Sequence, residues 1–154
     1  MELTSGIRPI SDNNEMLSQG EMPPDGRPVL VVEDSENSAA MLEIALSGIP
    51  EVTVLLAPSA LEAWRILNGD GPSIRAIVTD LNMPRMDGFE LIRRVRADGR
   101  LAGTPIMVIS ADTDPSTPRR IAQLGVSAFF AKPFSPAEVR RKLEQILNGT
   151  TESV

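Results

Sequence analysis

The chain has 154 residues, 42% hydrophobic and 23% charged, so it is long and apolar enough to form one globular domain. It contains no cysteine and no histidine, which excludes disulfides and thiolate or imidazole sites and leaves a hard cation held by oxygen as the only metal to expect. The net charge of −6, with no basic stripe, argues against nucleic-acid binding.

Both ends of the chain are predicted to lie outside the folded domain. Residues 1–27 combine glycine, proline and acidic residues with few large apolar side chains, so we predict a disordered tail. The first six residues do not resemble a signal peptide, and no apolar run approaches the ~20 residues that span a bilayer. We therefore expect a cytoplasmic protein with no membrane contact, and a frayed end at residues 149–154.

Five short apolar runs predict five β-strands, and a segment with helical periodicity follows each of them. The predicted strands cover residues 28–32, 52–56, 74–78, 105–109 and 127–131. The predicted helices cover residues 36–48, the segment between 59 and 69, a segment from 87 onward, 119–124 and 135–148. This alternation predicts an α/β fold within residues 28–148, a doubly wound five-stranded parallel sheet with helices on both faces.

Capping boxes, in which a polar N-cap precedes a glutamate by three residues, mark three helix starts. The pairs are Ser59 with Glu62, Asp87 with Glu90, and Ser135 with Glu138. In the first helix, the spacing predicts a buried face formed by Met41, Leu42, Ala45 and Leu46.

Polar side chains stand at the carboxyl ends of four predicted strands. Glu33 and Asp34 follow the first strand, Asp80 the third, Ser110 the fourth and Lys132 the fifth. Taken singly, each has an ordinary explanation as a solvated loop, a helix cap or a surface lysine. Because the carboxyl ends of parallel strands share one edge of a sheet, we expect these residues to converge in a single site.

The chemistry that suits this set is phosphoryl transfer to a carboxylate. Three clustered carboxylates repel one another and require a divalent cation, which also neutralises the oxygens of a phosphoryl group. Asp80 is then the nucleophile that forms an acyl phosphate, Lys132 supplies a positive charge, and Ser110 donates to a phosphoryl oxygen.

The stretch Asp80-Leu81-Asn82-Met83-Pro84-Arg85-Met86-Asp87-Gly88 resembles the central motif of the receiver domain of two-component response regulators. Ser110 follows Asp80 by thirty positions, and Lys132, with Pro133 and Phe134 after it, follows Ser110 by twenty-two, as in that family. The resemblance covers residues 28–148 and is to stand-alone receivers of the chemotaxis type. It implies a (βα)5 flavodoxin-like fold.

The resemblance also implies roles for single residues. Asp80 is the expected phosphoacceptor, assisted by Lys132 and Ser110. The implied Mg²⁺ site consists of Asp34, Asp80, the main-chain carbonyl of Asn82 and, mostly through water, Glu33. Phe129 takes the place of the aromatic switch residue and acts with Ser110; since phenylalanine lacks the hydroxyl of the frequent tyrosine, such a switch must work by packing.

The implied function is a signalling switch that accepts a phosphoryl group from a histidine kinase or a histidine phosphotransfer protein. We expect it to bind a downstream protein through the face formed by residues 119–147, as a monomer or weak dimer and without an output domain of its own. It is not expected to be an enzyme beyond catalysing its own Mg²⁺-dependent phosphorylation and dephosphorylation.

Three alternatives remain open from the sequence. A phosphatase of the haloacid dehalogenase type also forms an aspartyl phosphate, but its second Asp, the general acid, corresponds here to Asn82. A flavin-binding module is disfavoured weakly by the absence of tyrosine and the single tryptophan. A receiver-like scaffold that takes no phosphate is disfavoured because Asp80 and Lys132 are both present.

Two further residues are predicted to set the lifetime of the acyl phosphate. Asn82 and Asp112 lie two positions after Asp80 and Ser110, and they are expected to flank the path of the attacking water. Both are small and polar, so they can orient a water rather than exclude it. We therefore predict spontaneous loss of the phosphoryl group within minutes rather than hours.

Overall fold

A computed structural model describes residues 26–149 of the chain, which form five strands alternating with five helices. The strands are β1 (Arg27–Val32), β2 (Val52–Ala57), β3 (Ala76–Thr79), β4 (Ile106–Ser110) and β5 (Ala128–Ala131). The helices are α1 (Glu36–Ser47), α2 (Ala60–Leu67), α3 (Gly88–Ala97), α4 (Thr117–Gln123) and α5 (Pro136–Asn148). The predictions for residues 1–25 and 150–154 lie outside the described residues.

All five strands pair in parallel in one sheet, in the order β2-β1-β3-β4-β5. The predicted doubly wound parallel sheet is thus confirmed. β1 begins at Arg27, one residue earlier than predicted, because the Arg27 N–H donates to the Glu51 carbonyl at 2.8 Å and joins this residue to the sheet. Within residues 26–149, the structure has no helix with the length and apolar character needed to cross a membrane.

Alternate residues of the strands build two apolar layers, one on each face of the sheet. One layer packs against α1 and α5 and includes Val31, Val78, Ile109, Leu46 and Leu143. The other packs against α2, α3 and α4 and includes Val32, Ile77, Val108, Ile92 and Ile121. Helices cover both faces of the sheet. Polar side chains can therefore reach solvent where the strands end, at the carboxyl edge of the sheet, rather than on a face.

The predicted N-caps are present, but the predicted capping boxes form only in part. Side-chain oxygens of Ser59, Asp87 and Ser135 accept the N–H group three residues on, at 3.1, 2.9 and 3.2 Å. The carboxylates of Glu62 and Glu90 bind arginine side chains of their own helices instead of reaching back to the N-cap.

The predicted inner face of α1 is wrong at Met41. Leu42 and Leu46, one helical turn apart, are buried against the sheet and α5, whereas Met41 is 44% exposed. Only a narrow stripe of this helix contacts the core, and Met41 lies about 100° around the helix axis from Leu42.

Gly88 joins the loop after β3 to α3 at a point of very close backbone approach. A Cβ atom built at this position would clash with the Asp80 carbonyl oxygen and lie 2.8 Å from the Leu81 Cα. The Gly88 N–H donates to the Leu81 carbonyl at 2.9 Å, which keeps the two segments together. Glycine is therefore required here for space.

We predict that Gly88→Ala lowers the free energy of unfolding by about 3 kcal/mol, because the backbone around Asp80 must shift to admit the methyl group. Gly71→Ala is the matched control, since a Cβ there meets nothing within 4 Å, and it should change stability by less than about 0.5 kcal/mol. Urea denaturation of both variants measures the difference. Equal stability of the two variants would contradict the packing argument.

Candidate functional site

The site forms where β1, β3, β4 and β5 end along one edge of the sheet. Lys132, which follows β5, places its Nζ 3.0 Å from Asp80 Oδ2 and 2.9 Å from Glu33 Oε1. One ammonium group thus bridges carboxylates that follow β3 and β1. The predicted convergence of Glu33, Asp80 and Lys132 is what the structure shows.

The Asp80 side chain is held in a fixed orientation. It is 8% exposed, and its Oδ1 accepts the N–H of Leu81 at 2.6 Å while Oδ2 faces Lys132. The main chain is fixed as well, since the Asp80 N–H donates to the Val32 carbonyl at 3.0 Å and the Thr79 hydroxyl donates to the Asp80 carbonyl at 2.8 Å. A carboxylate held in this way would lose little entropy in a reaction at its free oxygen.

Glu33, Asp34 and Asp80 form an acidic cluster. One carboxylate oxygen from each lies within 4.8 Å of the others. Glu33 is buried and its Oε2 accepts the Ser35 N–H at 3.0 Å, whereas Asp34 is exposed and faces solvent from the end of β1. This all-oxygen donor set, open on one side, fits a hard divalent cation that keeps part of its water shell.

Burial and neighbouring charged groups shift the pKa values of Glu33 and Lys132. Burial raises the pKa of Glu33 above its ordinary 4.5, and the Asp80 carboxylate adds to the rise, although contacts with Lys132 and Ser35 oppose it. Burial alone would lower the pKa of Lys132, but its contacts with Glu33 and Asp80 together raise it. The ammonium therefore stays charged because it faces two carboxylates, while Glu33 faces one ammonium and one like charge.

Ser110 lies at the end of β4 and is fully buried. Its Oγ accepts the N–H of Asp112 at 3.1 Å, and its carbonyl accepts the N–H of Lys132 at 2.9 Å. Within residues 26–149 no hydrogen bond joins Ser110 to Asp80. The structure thus places Ser110 at the predicted edge but with its hydroxyl engaged by the following loop.

The remaining predicted site residues surround this centre. Asn82 is exposed in the loop after β3, and its N–H makes a long contact of 3.4 Å with Asp80 Oδ1. Asp112 is half-buried, and its Oδ1 accepts the N–H of Asp114 at 2.8 Å. Phe129 is half-buried on β5 and packs against the apolar layer on the α4 side of the sheet.

The sequence reasoning missed three features that shape the site. It missed the Ser35 N–H, which orients Glu33, and the close approach at Gly88. It also missed Asp114 and Ser116, which continue the hydrogen bonding that starts at Ser110. The alternation of polar residues at positions 110, 112, 114 and 116 was the available signal for these.

The raised pKa of Glu33 predicts the direction in which the stability of the protein changes with pH. The pKa of Glu33 is higher in the folded state than in the unfolded state, so ionisation of Glu33 opposes folding. The contribution of Glu33 to the free energy of unfolding therefore falls as the pH rises through these two pKa values. In EDTA, Glu33→Gln should therefore gain stability relative to the parent as the pH rises above 4.5, the ordinary pKa of a glutamate. Urea denaturation across this range measures the difference.

Glu90→Gln is the opposing control. Hydrogen bonds from Arg94 and Arg93 lower the pKa of the exposed Glu90, so the stability it contributes is present above the unfolded pKa and is lost as pH falls. This variant should lose stability relative to the parent as pH rises. The same trend in both variants would show that burial does not govern the pKa of Glu33.

The comparisons with known proteins agree with this geometry. A family model described as the response regulator receiver domain matches residues 29–144. Chemotaxis protein CheY1 of Helicobacter pylori is 34% identical over 124 residues, 80% of this chain and 98% of that protein. A CheY homolog of Campylobacter jejuni is 31% identical over 119 residues, 77% of this chain and 91% of that protein.

Solved structures show the same fold. Chemotaxis protein CheY4 of Vibrio cholerae superposes with a TM-score of 0.70 at 27% identity, covering 79% of this chain and 98% of that one. A response regulator receiver protein from Pseudomonas putida superposes with a TM-score of 0.71 at 30% identity, covering 80% of this chain and 99% of that one. Because the family model matches residues 29–144, which is most of the α/β domain, the chain belongs to the response regulator receiver domain family.

Proposed function

We propose that this receiver takes a phosphoryl group on Asp80 from a histidine kinase or a histidine phosphotransfer protein, and that this changes the surface it offers to a downstream protein. The observation that carries the proposal is the Asp80 carboxylate, which is buried at the end of β3, contacts Lys132 and clusters with Glu33 and Asp34. Membership of the receiver family supports the broader role of a two-component signalling switch.

We propose Mg²⁺ as the cofactor, held by Glu33, Asp34, Asp80 and the carbonyl of Asn82. The oxygen-only donors of the acidic cluster support this, and Mg²⁺ is bound in proteins through one or two carboxylates together with water and phosphate oxygens. When bound, the cation would neutralise part of the negative charge on the phosphoryl oxygens.

The chain's own residues carry out the transfer. A carboxylate oxygen of Asp80 forms the new bond to phosphorus while the bond from phosphorus to the donor's imidazole nitrogen breaks, and the electron pair leaves with that nitrogen. Lys132 Nζ, already 3.0 Å from Asp80 Oδ2, pairs with a phosphoryl oxygen. The Ser110 hydroxyl donates to another phosphoryl oxygen.

The switch follows from the movement of Ser110. As its hydroxyl turns toward the phosphoryl group, the half-buried Phe129 moves inward by repacking against the α4-side layer. The surface that changes is the 119–147 face, which carries α4, β5 and α5 and is the proposed site for the downstream protein. We also propose that the protein acts in the cytoplasm as a monomer or weak dimer. It is proposed to bind neither nucleic acid nor membrane. These points rest on the sequence and the family resemblance.

An apolar surface beside the site supports a protein as phosphodonor. Ile44, on the outer side of α1, is 78% exposed, and Met41 lies one turn before it. A cavity of about 350 Å³ is lined by Ser38, Met41, Lys132, Pro133 and Phe134. Exposed apolar side chains on α1, with Met41 sharing a cavity with Lys132, favour contact with another protein at this edge of the sheet.

The first prediction from this proposed function is that acetyl phosphate and Mg²⁺ add one phosphoryl group, on Asp80. Asp80→Asn should remove it because the amide is not a nucleophile, and EDTA should prevent it in the parent. Intact-protein mass spectrometry measures the product. Asp87→Asn is the matched control, because asparagine keeps the N-cap of α3, and it should remain phosphorylatable. Phosphorylation that persists in Asp80→Asn would place the acceptor elsewhere.

The second prediction concerns lifetime. Asn82→Arg and Asp112→Lys should each slow the spontaneous loss of the phosphoryl group several-fold, because a long side chain blocks the path of water to phosphorus. The decay of phosphoprotein after removal of acetyl phosphate measures this. Thr113→Lys, at the neighbouring exposed position, should decay at the parent rate. Unchanged decay in both test variants would show that these two side chains do not control the access of water to the phosphorus atom.

A further inference from the structure

A cavity of about 320 Å³ lies at the edge of the sheet where the strands begin, opposite the candidate site. One wall comes from the loop between α2 and β3 and includes Ser73 and Ile74. The other comes from the loop between α3 and β4 and includes Arg100, Leu101 and Thr104. We call this space the amino-edge cavity. Its volume lies at the lower end of the range of ligand pockets, which begins at about 300 Å³.

Arg100 joins the two walls of the amino-edge cavity. Its guanidinium donates to Asn68 Oδ1 at 3.0 Å, to the Leu67 carbonyl at 3.5 Å and to Asp98 Oδ2 at 3.3 Å. A guanidinium has five N–H groups, so these contacts leave donors for a further acceptor. The Arg100 side chain is 58% exposed, and such an acceptor can therefore reach it.

The other polar groups around the cavity also suit a carboxylate. Among the described residues, none of those that line the cavity is acidic, while Ser73 and Thr104 contribute hydroxyl groups. Arg75, exposed next to Ile74, adds a second positive charge at this edge. Arginine and hydroxyl donors together bind carboxylate oxygens through charge-assisted hydrogen bonds. We therefore expect an acidic ligand here.

The chain enters the sheet beside this cavity. β1 pairs in parallel with β3, and the Arg75 N–H donates to the Pro28 carbonyl at 2.8 Å. The register of this pairing, continued back by two residues, puts Arg27 opposite Ile74 in the cavity wall. Residues 21–25 precede the described part of the chain. At about 3.3 Å per residue they can extend up to about 17 Å from its first residue, which is enough to reach the cavity.

The sequence of this segment, Glu21-Met22-Pro23-Pro24-Asp25, is complementary to the cavity. It offers two carboxylates and one apolar side chain. Consecutive prolines favour an extended main chain, which reduces the conformational entropy lost on binding. Residues 1–25 as a whole contain five acidic residues and a single arginine, so their charge also favours an arginine-bearing edge.

We propose that segment 21–25 binds the amino-edge cavity of its own chain, with the Glu21 carboxylate accepting hydrogen bonds from Arg100. Met22 then packs against Ile74 and Leu101, the apolar part of the lining. An ion pair between exposed groups is weak, but the link to β1 keeps the segment at an effective concentration on the order of millimolar. The bound segment bridges the α2–β3 and α3–β4 loops. This inference is independent of the proposed function, since it concerns the edge away from Asp80.

The test locates the segment in the full chain by paramagnetic broadening of amide signals. Because the chain has no cysteine, Gln19→Cys accepts a single nitroxide label. Ser73 and Glu51 precede β3 and β2, the two neighbours of β1, so a segment that is merely tethered approaches both. Binding in the cavity should broaden the Ser73 and Leu101 amides more strongly than the Glu51 amide. Equal broadening of Ser73 and Glu51 would overturn the proposal.

Two charge reversals in the labelled chain separate a specific contact from general attraction. Glu21→Arg should remove most of the excess broadening at Ser73 and Leu101, because it places a positive charge against Arg100. Glu15→Arg makes the same change of charge outside the segment and should keep the excess. Persistence of the excess in Glu21→Arg would overturn the proposal, and so would an equal loss in Glu15→Arg, since net charge alone would then attract the segment.

A variant on the cavity side completes the test. Arg100→Gln should remove the excess broadening as Glu21→Arg does, whereas Arg141→Gln, at an exposed arginine of α5, should keep it. Amide chemical shifts of the unlabelled variants show whether both loops keep their fold. If Arg100→Gln disturbs them, the two reversals at Glu21 and Glu15 decide the outcome. Undisturbed loops with full excess broadening in Arg100→Gln would contradict the contact with Arg100.

Discussion

The contact of Lys132 with Asp80 and Glu33 is the interaction on which the rest of the structure depends. Two largely buried carboxylates whose oxygens lie within 4.8 Å of each other repel, and burial without a counter-charge is costly. A single ammonium at 2.9 and 3.0 Å from them offsets that cost. The three residues follow β1, β3 and β5, so the contact forms only when these strands and β4, which lies between β3 and β5, have assembled.

The sheet order explains why these residues meet. β1 and β3 are neighbours, and β4 and β5 continue the sheet from β3, so four consecutive strand ends face the same solvent. With apolar layers on both faces, this edge is where polar side chains can be held rigidly and remain accessible. The loops beyond it differ in how they are held. Gly88 locks the loop after β3 against Asp80, while the loop after β4 is held mainly by its own hydrogen bonds.

Most of the fold was predictable because its signals are local. Buried parallel strands appear as short apolar runs, and polar N-caps mark the helix starts at Ser59, Asp87 and Ser135. The errors occurred where a side chain had a second environment or partner open to it, such as solvent or an arginine of its own helix. Met41 has the spacing of a core residue but lies outside the narrow stripe that α1 buries, and Glu62 and Glu90 bind arginines along their helices rather than closing capping boxes.

By itself, the sequence determined the alternating fold, the edge at which Glu33, Asp34, Asp80, Ser110 and Lys132 would collect, and the family they resemble. Those conclusions need only strand periodicity and the order of residues along the chain. The tertiary structure decided the strand order, the bridging of two carboxylates by Lys132, and the engagement of Ser110 by Asp112. It also decided that Arg96 clamps the end of α4. These features depend on side-chain directions and on contacts between distant segments, which spacing along the chain does not encode.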